Sequence, residues 1–271
     1  MTDLGVARAR QAARRLLRDF GVESAEHIAI EAMAGRAGAT IVTSPTDPLD
    51  SASARLVRVG ARATIRVSDR IRHPGARRFS IAHELGHLVL GHEESIGAMC
   101  GESVGGARHG PHRPQLEIEA NAFAAELLMP EALVRRRCEV SPVTLEIPRA
   151  IAQDFRVSLL AAARRFVELT SERCALVFVS GGTVRWVTRS PTFRPFIESG
   201  RRVDRDTVAW DVQRGKVEGD AQEVPAGAWL DMSDDGGAEI VEHAAPVPEL
   251  AAVASLLWIR EKHAIALRCF D

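Results

Sequence analysis

The 271 residues carry 35 basic and 36 acidic side chains, a formal charge of −1, so no global field draws the chain to nucleic acid or anionic lipid. With 46% hydrophobic and 26% charged residues, the composition is that of a globular protein rather than a disordered one, and the length suggests about two domains. No apolar run approaches the roughly 18 residues that cross a bilayer, the N-terminus is studded with arginine, and Cys100, Cys138, Cys174 and Cys269 form no C-x-x-C pair. The expectation is a cytoplasmic protein, away from membranes and without a disulfide framework.

Residues 4–20 read as an amphipathic helix with Ala12, Leu16, Leu17 and Phe20 on one side. A second helix is expected from about Ala25 to Ala34, before the Gly35 to Gly38 break. Short strands follow at Ala39–Thr43, Arg55–Val59 and Ala63–Val67, where β-branched residues cluster. The last of these is expected at a sheet edge, open to an extended peptide. After Pro74-Gly75 comes an apolar helix from about Arg77 to Leu90, then a Gly/Pro/His-rich loop over 101–115. The next helix starts near Pro114 and turns Leu116, Ala120, Phe123, Ala124 and Leu127 inward. Residues 147–169 form a helical module. From Cys174 the texture becomes stranded, and CALVFVS, Gly181-Gly182, TVRWVT is a hairpin signal. The tail, with Trp210, Trp229 and Trp258 expected in its core, reads as a separate mixed α/β domain.

The chemistry concentrates in His83-Glu84-Leu85-Gly86-His87, an H-E-x-x-H. Four residues apart on a helix, the two imidazoles share one face and can reach one metal ion. Glu84 stands beside His83, where its carboxylate can work on a water instead. Zinc lowers the pKa of a bound water from 15.7 to about 7, making a nucleophile at neutral pH. Glu84 would take its proton and later deliver it to the leaving amine. Composition alone predicts roughly 0.02 such matches in a chain of this length.

A catalytic zinc needs a third protein ligand and one open position. The extended pattern with a third histidine fails, because Leu90 and Glu93 occupy the required positions. A carboxylate from the Glu117-Ile118-Glu119-Ala120-Asn121 segment is the alternative. Glu117 and Asn121 are i and i+4, so one can bind zinc while the other orients a ligating histidine. Glu119 is the other candidate ligand. Cys100 would close the site if it were a fourth ligand. The chain has no tyrosine, so an electrophile for the oxyanion is sought among His92, Arg108, His109, His112 and Arg113.

HELGH, followed by E-x-E-A-N-x-F-A-A-E-L-L-M-P from Glu117 to Pro130, resembles the ImmA/IrrE family of zinc metallopeptidases. The resemblance implies an α+β protein in three parts. They are a zincin-like metallopeptidase domain of helices and a small sheet (1–135), a helix-turn-helix-like helical module (136–172), and a mixed α/β GAF-like C-terminal domain (173–271). It also implies Zn2+ on two His and one Glu, here His83, His87 and Glu117. The implied substrates are helix-turn-helix repressors of the Xre type, cut in a stress or mobile-element response. A small-molecule ligand for the GAF-like domain follows from the same likeness.

In the segment Ile151 to Leu169, Val157 would plug a helix-turn-helix core, Ser158 would cap the second helix, and Arg164 and Arg165 could meet phosphates. The charge balance argues against tight DNA binding. A DNA-binding regulator with a structural zinc site is the alternative from another class, and a zinc hydrolase acting on non-peptide bonds is a third.

Overall fold

A computed structural model of the chain describes residues 2–45, 53–60, 62–92, 113–215, 220–230, 237–264 and 267. Its contacts divide the chain into two compact units, one of Met1–Leu133 with Gln153–Ser158, the other of Val134–Ala152 with Leu159–Asp271.

The first unit begins with α1 (Thr2–Asp19). The deeply buried line along it is Ala9, Ala13 and Leu17, with Ala12, Leu16 and Phe20 only half-buried. This differs from the expected face by a small rotation. The physical reason is size: glycine and alanine at positions 5, 9 and 13 let α1 settle closely on α4 (Arg113–Leu128). A continuous helix over 25–34 does not form. A 3-10 turn, Ala25–His27, precedes α2 (Ile30–Arg36), and Ile28 and Ala29 between them leave helical geometry. Both Ile28 and Ile30 are fully buried. Two residues apart on an α-helix they would point about 200° apart, so the break is what buries both.

Strands β1 (Ala39–Ser44), β2 (Ala54–Val59) and β3 (Arg62–Ser68) form one sheet in the order β1-β3-β2. β1 runs parallel to β3 with Ala39 opposite Ala63, and β2 runs antiparallel to β3 with Ala54 opposite Val67. The expected edge strand, Ala63–Val67, is therefore the central one. Its strict alternation explains this, since Ala63, Ile65 and Val67 all enter the core. The edges are β1 and β2.

Helix α3 (Pro74–Leu90) starts with proline in its first turn and with His73 Nδ1 accepting from Ala76 N at 3.3 Å. It ends at Gly91, in the left-handed region at φ 73°. Two glycines permit close approaches. A Cβ on Gly75 would stand 2.4 Å from the Val157 carbonyl carbon, and one on Gly86 would stand 3.1 Å from Phe123 Cδ1. The second contact seats α3 directly on α4, whose Ala120, Phe123, Ala124, Leu127 and Leu128 are fully buried.

The second unit is built on a five-stranded antiparallel sheet of β4 (Cys174–Ser180), β5 (Thr183–Arg189), β6 (Gln222–Pro225), β7 (Glu239–Val247) and β8 (Ala252–Trp258), in the order β5-β4-β8-β7-β6. The hairpin expected at Gly181-Gly182 forms there, both glycines having positive φ as a two-residue turn requires. Helices α5 (Glu131–Cys138) and α6 (Glu146–Phe155) precede the sheet, α7 (Leu159–Leu169) packs on β4 and β5, and the short α8 (Val208–Gln213) and α9 (Glu261–Ala264) follow. Trp229 and Trp258 are buried as expected, Trp210 is partly buried, and Trp186 stacks on Phe178 with ring centroids 5.0 Å apart. Among the described residues no helix is long and apolar enough to cross a membrane.

Candidate metal centre

One turn of α3 separates His83 from His87, and their Nε2 atoms stand 3.1 Å apart. From α4, Glu117 brings Oε2 to 3.2 Å of His83 Nε2 and Oε1 to 3.8 Å of His87 Nε2. These ligand atoms all lie within 4.8 Å of one another, and among the described residues they form the group able to hold a metal ion. Tetrahedral zinc with bonds of about 2.0–2.1 Å has donor-to-donor edges of roughly 3.3–3.4 Å. The observed spacings bracket that edge. The closeness of α3 to α4 at Gly86 sets the reach across which Glu117 meets both rings.

The protons point the same way. His83 Nδ1 lies 3.0 Å from Asn121 Oδ1, so the ring carries its proton there and leaves a lone pair on Nε2. Glu117 and Asn121 are one turn apart on α4, which is why one faces the centre and the other the back of His83. The centre thus brings two imidazole Nε2 atoms and a carboxylate to contact distance, a donor set that a cation among them would satisfy. The donor set fits zinc.

Glu84 points elsewhere. Its Oε2 accepts from Leu56 N of β2 at 2.7 Å. Burial pushes its carboxyl above the ordinary carboxylate range; His83, the Leu56 N–H and Arg55 pull against that, while Glu117 adds to it. The backbone donor holds the carboxylate beside the metal group rather than in it.

Glu119, the other candidate ligand, faces His92. Its Oε2 is 3.2 Å from His92 Nε2, and its Oε1 accepts from Gln115 Nε2 at 3.0 Å. His92 in turn places Nδ1 3.0 Å from His87 Nδ1. Only 4% of His92 is exposed, so it is not available to face an oxyanion, contrary to expectation. Left-handed Gly91 turns the chain back after α3, which brings His92 behind His87. Residue spacing gave no sign of this pairing. Cys100, Arg108, His109 and His112, and the side chain of Arg113, lie outside the described residues.

Of the two residues read as possible phosphate contacts, Arg165 is only 1% exposed and cannot reach a phosphate, whereas Arg164 is exposed, over the Trp186 ring and 3.8 Å from Glu168. Val157 is buried, as the helix-turn-helix reading expects, but α7 turns six of its eleven residues inward.

Residues 34–167 match Peptidase_M78, the IrrE N-terminal-like domain, a span that includes His83, Glu84, His87, Glu117 and Asn121. No curated protein sequence matches the chain significantly. Among solved structures the chain is similar to a Mycobacterium tuberculosis transcriptional regulator, with a TM-score of 0.60 and 19% identity over 96% of this chain and 78% of that one. At that identity the likeness concerns the fold.

Proposed function

We propose, from the match of residues 34–167 to Peptidase_M78, the IrrE N-terminal-like domain, that the chain is a cytoplasmic zinc endopeptidase. The observation that carries the reading is the arrival of the Glu117 carboxylate at the paired imidazoles of His83 and His87. Those three residues would hold the ion, and Asn121 orients His83. Zinc, when bound, supplies a Lewis acid for the scissile carbonyl and a lowered pKa for the attacking water. Glu84, its carboxyl raised by burial, would serve as the base that takes a proton from the attacking water and the acid that returns it to the departing amine. The edge strand beside Glu84 is β2, and an extended substrate segment is best held along it by backbone pairing.

The substrate class follows from the family resemblance: a helix-turn-helix repressor of the Xre type, whose cleavage would release its genes. On the same ground, residues 173–271 are a GAF-like module that responds to a small ligand. The test is co-expression of the full chain with such a repressor, with and without added zinc. Zinc-dependent cleavage by the natural chain, lost in Glu84→Gln while one zinc per chain is retained, is the expected result. Unchanged cleavage by Glu84→Gln would falsify the proton-transfer role. An intact repressor together with specific DNA binding would instead favour a regulator whose zinc is structural.

A further inference from the structure

We propose that His92 and Glu119 are positioning residues for the metal centre: together they fix the tautomer and direction of the His87 ring, and Gly5 of α1 sets where the Glu119 carboxylate stands. The proposal rests on the reading of His83, His87 and Glu117 as metal ligands.

The contacts run in one line. Glu119 Oε1 accepts from Gln115 Nε2 at 3.0 Å and Oε2 stands 3.2 Å from His92 Nε2. A carboxylate accepts, so the His92 proton belongs on Nε2 and its Nδ1 offers a lone pair. That lone pair faces His87 Nδ1 at 3.0 Å, which must then donate. With its proton on Nδ1, His87 turns an unprotonated Nε2 toward His83 and Glu117. His83 receives the equivalent service directly, from Asn121 Oδ1. His87 receives it through an intervening imidazole.

The far end of the line is anchored by α1. A Cβ on Gly5 would stand 2.2 Å from Glu119 Oε1 and 3.0 Å from Gln115 Nε2. Glycine at this position is therefore what gives the carboxylate its place. The atoms in the way are ends of flexible side chains, so an added methyl group displaces the carboxylate without breaking the helix. Alanine is also a better helix former than glycine. The same substitution should thus leave α1 as stable or more so while disturbing the metal centre. A purely structural role for Gly5 cannot produce that pair of effects.

The experiment measures the zinc affinity of the metal-free full chain by competition with a chromophoric chelator, alongside its thermal unfolding. His92→Leu should weaken zinc binding by about ten- to a hundredfold. His92→Asn, whose Oδ1 takes the place of Nδ1 and accepts the same proton, should recover affinity to within about tenfold of the natural chain. Gly5→Ala should weaken binding severalfold with no loss in the melting temperature of the metal-free protein. The proposal is overturned if His92→Leu and Gly5→Ala bind zinc like the natural chain. It is equally overturned if affinity falls only where the metal-free fold is weakened, or if asparagine rescues nothing. Should the natural chain itself take up no zinc, the ligand assignment fails first, and the relay fails with it.

Discussion

Glu117→Ala removes one of the three donors without opening the core, because the Glu117 side chain is 40% exposed. A four-ligand structural zinc site contributes about 10–16 kcal/mol, so one ligand is worth about 3 kcal/mol, or roughly a hundredfold in affinity. At free zinc a thousand times the natural dissociation constant, binding stabilises the fold by about 4.1 kcal/mol. The same zinc concentration gives the variant only about 1.4 kcal/mol. The difference, about 2.7 kcal/mol, lowers the zinc-loaded melting temperature of a unit this size by roughly 8–11 °C. Without metal the variant should melt within about 2 °C of the natural chain, since an exposed side chain is lost and two facing imidazoles are relieved of a carboxylate. Calorimetry with and without zinc, combined with a chelator competition, reads both numbers. A variant that keeps the full zinc-dependent shift would refute Glu117 as a ligand and with it the convergence of α3 and α4 on one ion.

Leu56→Pro deletes the N–H that donates to Glu84, a bond of 2.7 Å; zinc should still bind, while turnover of a cleaved repressor falls by about tenfold, the equivalent of one hydrogen bond to a charged group. Arg14→Ala strips Glu126, only 1% exposed, of a 2.8 Å ion pair between α1 and α4, and denaturant unfolding should show a loss of about 1–3 kcal/mol. In the second unit, Glu242 is fully buried and accepts from Val208 N, Ala209 N, Trp229 Nε1 and Ser255 Oγ. Burial raises its carboxyl above the ordinary value, with those four donors pulling against it. A raised folded-state value means that its contribution to stability is complete below the ordinary carboxylate range and is lost as pH rises through the higher one. Urea unfolding of the natural chain against Glu242→Gln should show this pH-dependent component only in the former.

Much of the site was legible before any coordinates. The H-E-x-x-H spacing and the i, i+4 relation of Glu117 to Asn121 are statements about one helix each, and helical geometry is local. The strands and the Gly181-Gly182 hairpin were legible for the same reason, because alternation and turn chemistry act over a few residues. What could not be read were relations between elements. The central place of β3 depends on which strands pair with it, and α1 presents Ala9 and Ala13 inward because of what α4 offers them.

His92 shows the limit most sharply. In the sequence it is one histidine beyond a glycine, equally suited to an exposed loop. A left-handed turn at Gly91 and the approach of α4 bury it between His87 and Glu119. The amino-acid sequence by itself determined which groups could bind a cation and move a proton, since those are properties of side chains and of helical spacing. The tertiary structure decided which carboxylate meets the imidazoles and which stands behind them. Glu117 and Glu119 are chemically identical, and only their direction on α4 relative to α3 tells them apart.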